Sequence, residues 1–473
     1  MTSVETPVAP RIASFPLRYL LLVGLPGLVI LVVLHAGSGR GVAPPAVPSL
    51  SASGAAAAAP DIGLLLLQLL VVLVATRLCG LALRPLGQPH VVGEMLAGIL
   101  LGPSFLGLVA PGLASSLFPP ASLGVLSALS QVGMVLYMFL IGLELDHEAL
   151  AAGRGTAVLT SHASIAVPFA LGVTLALALY RDFAPPGIPF LAFALFLGAA
   201  MSVTAFPVLA RILAERGMLR TPLGALATSA AAVDDVTAWT ILAGIMVIVR
   251  TTGEAALWVP LVVLGAFVAG VYLVRKPLRR AVNGAFERRG RLTHGVGAIL
   301  VALAFAGGGI TEAAGVHALF GAFFMGFVLS SERRLAQAAR ERLEDPLVLV
   351  LLPLYFAFTG LRTRLGLLFE NGSWGWALVI FAVAVAGKLG GSALAARLGG
   401  RPWREALALG TLMNTRGLME LVILNIGLDL GVLSPALYSM MVLMAFATTV
   451  MTSPLLTALH AVRPLTDAGP TRP

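Results

Sequence analysis

Apolar runs long enough to cross a bilayer, about 18 residues or more, recur along the whole chain with short polar breaks between them. Such a pattern predicts an all-α polytopic membrane protein, because in lipid a helix satisfies its own backbone polar groups. The short alternating segments of a membrane β-barrel are absent from the sequence. Composition agrees: 58% of the 473 residues are hydrophobic and 11% are charged, against roughly 25% charged in a soluble domain. A soluble chain of this length would have almost nothing with which to cover its surface.

The apolar runs divide into fourteen stretches: 17–36, 61–83, 90–109, 123–145, 157–180, 188–213, 223–249, 256–274, 293–312, 315–330, 346–363, 374–396, 404–428 and 434–459. The formal charge of +9 follows the topology rather than a nucleic-acid partner. With a cytoplasmic N-terminus, only Arg40, Arg181, Arg250, Arg362 and Arg364 fall on the outer side. Lys388 and Arg416 lie inside spans, and the remaining Lys and Arg gather on the inner side, seven of them between Arg275 and Arg291. This asymmetry predicts a cell-membrane protein with both termini cytoplasmic. Arg11 and Arg18 around the start of the first stretch leave two readings open for residues 1–36, a cleaved signal segment or a permanent span. Residues 37–60, rich in Gly, Pro, Ala and Ser, read as a flexible linker. Residues 61–459 form the membrane domain and 460–473 a short cytoplasmic tail, with no room for a soluble C-terminal nucleotide-binding domain.

Several function classes fall away. No Walker A or GxGxxG motif is evident, which disfavours ATP-driven transport. No nucleophile–base or metal-ligand constellation marks an enzyme, and no cofactor is expected. Cys79, the single cysteine, excludes a disulfide framework. A potassium channel or leak is the alternative transport reading, although no TVGYG-like filter occurs. A structural or sensory membrane protein is a third reading, and mid-membrane acids argue against it.

Those acids are Asp234 and Asp235, near the centre of an apolar span. A mid-membrane Asp costs about 2.5–3.5 kcal/mol on insertion scales. The bland explanation is a buried ion pair locking helices together. The functional one is a titratable cation site, where a proton and a small cation compete for the same oxygens. Competition at one site exposed alternately to each side suffices for exchange. Lys388, among Gly387, Gly390 and Gly391, needs an anion at mid-span, and Asp234 or Asp235 is its natural partner; snorkelling is the alternative.

Setting the first stretch aside, thirteen spans divide into six, one and six, giving halves of opposite topology. The fifth member of each half is interrupted, at Ser202–Pro207 and at Met413–Gly417. Paired interruptions in inverted halves point to a binding site at the bilayer midplane. Pro207 removes a backbone donor and frees carbonyls beside Thr204; the second break holds Asn414, Thr415, Arg416 and Gly417. Arg416 and Glu420, four residues apart, either pair with each other or shape the electrostatics of the break. Glu144 reads as a structural partner of Arg211 or Arg154, and His317 as a satisfied core histidine. Gly93, Ala97, Gly98 and Gly102 read as close helix packing.

Gln88-Pro89-His90-Val91-Val92-Gly93-Glu94 through Gly102-Pro103 resembles the opening of the monovalent cation:proton antiporter-2 family, as do Leu136–Glu144 and the Asp234-Asp235 segment. Met413-Asn414-Thr415-Arg416-Gly417 through Gly427 is most similar to the cation/H⁺ exchangers of plants and their bacterial relatives. The resemblance covers about residues 61–459. It implies an inverted-repeat antiporter fold with two discontinuous crossing helices, thirteen core transmembrane helices plus one N-terminal span, and a homodimer in which a core domain moves like an elevator. It further implies Asp235 as the main carrier of Na⁺ or K⁺ and of H⁺, Asp234 paired with Lys388, and Thr204 lining the site. Two aspartates with the lysine resemble the electrogenic sodium branch, whereas the Asn-Thr-Arg-Gly break resembles the often electroneutral exchanger branch. The lack of a C-terminal nucleotide-binding domain implies no ligand gating of the potassium-efflux type.

Overall fold

The computed structural model describes residues 15–38, 61–144, 156–218, 221–250, 254–288, 292–314, 317–330, 333–369 and 373–459. These are mostly helical, with no strand among them. Ten helices are long and apolar enough to cross a membrane, and a bent pair makes an eleventh. The sequence predicts fourteen crossings. The 188–213 and 315–330 stretches hold the shorter apolar helices Phe190–Ser202 and Ala318–Leu329, and 256–274 lies within the 34-residue helix Glu254–Glu287.

In chain order the helices are α1 (Phe15–Ser38), α2 (Ile62–Leu83), α3 (His90–Leu101), α4 (Pro120–Glu144), α5 (Thr156–Phe183), α6 (Phe190–Ser202), α7 (Phe206–Glu215), α8 (Pro222–Arg250) and α9 (Glu254–Glu287). There follow α10 (His294–Ala313), α11 (Ala318–Leu329), α12 (Arg333–Pro346), α13 (Leu352–Leu361), α14 (Ser373–Leu398), α15 (Trp403–Met413), α16 (Leu418–Asp429) and α17 (Pro435–Ala458). Starts are capped by local chemistry: Asp61 accepts from the amides of Gly63 and Leu64, and His317 Nδ1 from Leu319, meeting donors a helix cannot use itself.

The burial pattern is that of a protein solvated by lipid. Leu66, Leu70, Leu78 and Leu81 of α2 are all more than half exposed, a display a water-soluble surface rarely carries. Polar side chains turn inward instead, among them Gln68, Ser161, Ser164 and Thr204. Small residues let the helices approach. A Cβ on Gly98 would sit 2.3 Å from the Ala357 carbonyl of α13, and one on Gly142 of α4 2.1 Å from the Phe323 carbonyl of α11. Gly93 meets Gly80 as closely, so the glycines of the Gln88–Pro103 motif serve packing.

α1 packs against α5 and α6. Its Tyr19 hydroxyl lies 2.8 Å from His162 Nδ1, and Gly37 leaves room for the Phe190 ring. The helix runs through Ser38, two residues into the predicted linker; residues 39–60 and 460–473 lie outside the described residues. Glu144 meets Arg340 of α12 at 3.3 Å, a partner not among the two predicted; of those, Arg154 lies outside the described residues.

Candidate ion site at the crossing of two broken helices

Two helices break, and the breaks meet. Between α6 and α7 the chain leaves helical geometry at Val203, Thr204 and Ala205, and Pro207 is the second residue of α7. Between α15 and α16 it does so at Asn414 to Gly417, with a bend of 42°. Gly417 has φ of +157°, a conformation that strains any residue with a Cβ, and Val208 would crowd that atom at 3.0 Å. The Ala205 amide donates to the Thr415 carbonyl at 3.0 Å, and Thr204 Oγ1 lies 3.1 Å from the Met413 carbonyl. Each interruption thus supplies part of what the other's backbone lacks.

Breaking a helix mid-membrane creates unpaired carbonyls at a negative dipole end. At the end of α6, two cations meet that demand. Arg416 donates through Nη1 to the Ala200 carbonyl at 3.0 Å and through Nη2 to the Met201 carbonyl at 2.7 Å. Lys388 Nζ donates to the Ser202 carbonyl and, at 2.9 Å, to that of Ser164. Glu420, in the first turn of α16, places a carboxylate at a positive dipole end. Arg416 Nη1 lies 3.2 Å from Glu420 Oε2. Both Glu420 oxygens lack a directed hydrogen bond, because the guanidinium is aimed at the α6 carbonyls. The predicted alternatives for Arg416 therefore coincide: it pairs with Glu420 and also shapes the break. Thr449 of α17 donates to the Arg416 carbonyl at 2.7 Å.

α8 carries both aspartates past this crossing, fully buried. Asp234 is saturated. Its oxygens accept from Ser161 Oγ at 2.6 Å, from Ser164 Oγ at 2.7 and 2.9 Å, from Thr204 Oγ1 at 2.7 Å and from Lys388 Nζ at 2.9 Å. Lys388 sits in a wide π-turn, Ala386–Gly390, within α14; such turns inside α-helices often mark functional sites. Flanking Gly387 and Gly391 bring that turn against Pro168 and Val167 of α5. Asp235 differs completely: both its carboxylate oxygens are buried without a hydrogen-bond partner. The same holds for Asn414 Oδ1 in the second break and for Trp239 Nε1, one turn along α8.

Five fully buried charged residues are thus collected here: Asp234, Asp235, Lys388, Arg416 and Glu420. Three carboxylates against two cations leave one negative charge when all are ionised. One proton or one monovalent cation would neutralise it, and a divalent ion would overshoot.

A cavity of about 550 Å³ leads toward the crossing. Phe206 and Val208, just past the first break, and Leu418, just past the second, form its inner end. Glu94, Glu144, Arg211, Arg340 and Glu344 give it a charged wall. Sequence reasoning missed Ser161 and Ser164. Their signal was present, since two hydroxyls at i and i+3 share one helix face, but serine is common wherever membrane helices pack closely.

Comparison with known proteins identifies the fold and the family. The transmembrane sodium/hydrogen exchanger family matches residues 69–459. The chain is 41% identical over 401 residues to the Na⁺/H⁺ antiporter NhaS4 of Synechocystis, covering 84% of this chain and 97% of that one. It is 41% identical to cation/H⁺ antiporter 17 of Arabidopsis thaliana and 31% identical to K⁺/H⁺ antiporter 1 of Saccharomyces cerevisiae, but spans only 48% and 46% of their lengths. The fold is similar to that of the sodium proton antiporter MjNhaP1 from Methanocaldococcus jannaschii, with a TM-score of 0.61 at 14% identity over 84% of this chain and 97% of that one. A match over most of its length, with relatives this similar, makes the chain a member of the sodium/hydrogen exchanger family.

Proposed function

We propose that the chain exchanges a monovalent cation, Na⁺ or K⁺, for H⁺ across the cell membrane by alternating access, with Asp235 as the shared site. The buried charge count carries this reading: one surplus carboxylate, without a protein donor, beside one that is fully occupied. Asp234 is held by four donor groups including Lys388, so its role is to anchor α8 and keep Lys388 charged. Asp235 has no fixed donor to displace, so a proton and a dehydrated cation compete on equal terms for its oxygens. Asn414 Oδ1 and the Thr204 hydroxyl are the polar oxygens best suited to complete a cation's shell. Binding either ion removes the surplus charge, and that neutral state is the one able to move between the two sides, since a buried unpaired charge is costly in a low-dielectric interior.

The same reading takes thirteen core spans plus α1, the crossing of α6–α7 with α15–α16 as the transport centre, both termini cytoplasmic, and a homodimer. The cavity bearing Glu144 and Arg340 is then the inner access path, because the Lys and Arg distribution puts those ends inside.

The test is flux in liposomes holding an internal pH dye under an imposed pH gradient, with Na⁺, Li⁺ or K⁺ added outside and the membrane potential clamped or free. Cation-triggered proton movement that vanishes in Asp235→Asn supports antiport and names the ion; its voltage dependence shows whether net charge moves. Cation flux without proton movement would replace the reading with a channel.

A further inference from the structure

Three helices line two separate cavities at their opposite ends. α4 gives Tyr137 and Glu144 to the 550 Å³ cavity, and Ser127 and Ser130 to a second one of about 270 Å³. α13 gives Phe356 to the first, and Arg362 follows its end at the second. α16 gives Leu418 to the first, and Val422, Asn425 and Asp429 to the second. Between the cavities Met138, Phe139 and Leu421 are fully buried. The first reaches the crossing; the second stops a turn or more along α16.

A polar clamp lines the second cavity, from Asn425 out to Asp429. Asn425 uses its whole hydrogen-bonding capacity. Its Oδ1 accepts from Arg362 Nη1 at 3.2 Å and Tyr438 OH at 3.0 Å, and its Nδ2 donates to Tyr355 OH at 3.2 Å and Thr359 Oγ1 at 2.9 Å. Arg362 also donates to Asp429 at the last residue of α16. α16, the second half of a broken helix, is thereby fastened to α13 and α17. One part of the clamp is deep, with Asn425 buried, and the other is reachable by water, with the Asp429 side chain 49% exposed. An ion pair in contact with solvent is screened and can break and re-form.

We propose that this clamp is the gate of the second access path, with Arg362, Asn425 and Asp429 as positioning residues for exchange. The inference rests on the antiport reading above. While Arg362 bridges Asp429 and Asn425, α16 stays against α13 and the crossing communicates only with the larger cavity. Release of Arg362 lets α16 move away from α13, deepens the smaller cavity to the crossing, and draws the larger one shut.

One substitution, Cys79→Ser, gives a cysteine-free background in which Ser130→Cys reports the smaller cavity and Thr228→Cys the larger one. Each is labelled in vesicles with a membrane-impermeant maleimide supplied from its own side. Arg362→Gln removes the donors to both Asn425 and Asp429 and is expected to speed labelling at Ser130→Cys about ten-fold, a modest shift of an opening equilibrium for bonds partly open to water. It should slow labelling at Thr228→Cys by a comparable factor. Asp429→Asn should act in the same direction, covering the case in which Arg362→Gln does not fold, and Arg362→Lys should restore the slow rate. General loosening would speed both reporters, and that result, or no change at Ser130→Cys in either variant, overturns the gate. Exchange is measured in the same vesicles. An exchanging parent with unresponsive labelling sinks the gate alone, whereas a silent parent with reciprocal labelling sinks the antiport reading and leaves the gate.

Discussion

On one face of α8 the carboxylate of Asp234 meets four donor groups within 3 Å; about 100° around the same helix, that of Asp235 meets none. The two residues share their depth, their helix and their complete burial. What differs is which neighbours face them: Ser161 and Ser164 of α5, Thr204 of the first break and Lys388 of α14 converge on Asp234 alone. A carboxylate so occupied is part of the scaffold, because removing a proton or cation from it would mean dismantling several hydrogen bonds at once. A carboxylate without fixed donors has to find its counter-charge among mobile ions. The proposed function accordingly gives exchange chemistry to the less well-partnered member of the pair and structural integrity to the other.

The comparison breaks most visibly at Asp235. Asp235→Asn should lower cation-coupled proton flux by roughly 100-fold or more while leaving the melting temperature unchanged or higher, since it deletes an uncompensated buried charge. A variant that melts early would place Asp235 in the scaffold instead. The next largest effect lies at the other member. Asp234→Asn or Lys388→Met alone should destabilise by about 3–5 kcal/mol, because each strands its partner. The double variant should recover much of that loss in thermal melts, and strictly additive destabilisation would contradict the pairing. Gly417→Ala should cost about 1–3 kcal/mol from backbone strain at the second break, read as a lower melting temperature with the fold retained. Thr204→Val should be smallest, since Asp234 keeps its other three donors. It would appear as a few-fold weaker apparent cation affinity that Thr204→Ser restores.

Much of this contrast was legible in the sequence, and unevenly so. A doubled aspartate, a lysine and two interrupted helices stand out against apolar spans because each is expensive there and needs a reason. What the residues alone left open, and only the family resemblance supplied, was which aspartate Lys388 would choose: adjacent residues on a helix differ by rotation, and rotation is set by packing. The close seating of the Ala386–Gly390 turn on Pro168 and Val167 decides it. Asn425 was equally hidden. A single amide in an apolar helix gives no sign that Arg362, Tyr355, Thr359 and Tyr438 will together consume its whole capacity. The count of spans is what length alone leaves open: α6 and α11, at 13 and 12 residues, are too short to cross by themselves, and α6 reaches span length only together with α7 across the first break.

The most direct measurement is proton release on cation binding to the purified protein in weakly buffered solution, wild type against Asp235→Asn. Shared oxygens predict that Na⁺ or K⁺ binding releases protons, and that the apparent cation affinity weakens about ten-fold per pH unit below the site's titration. They also predict that Asp235→Asn loses both binding and release while keeping its fold. Undiminished cation binding by Asp235→Asn, or binding by the wild type without proton release, would contradict the account.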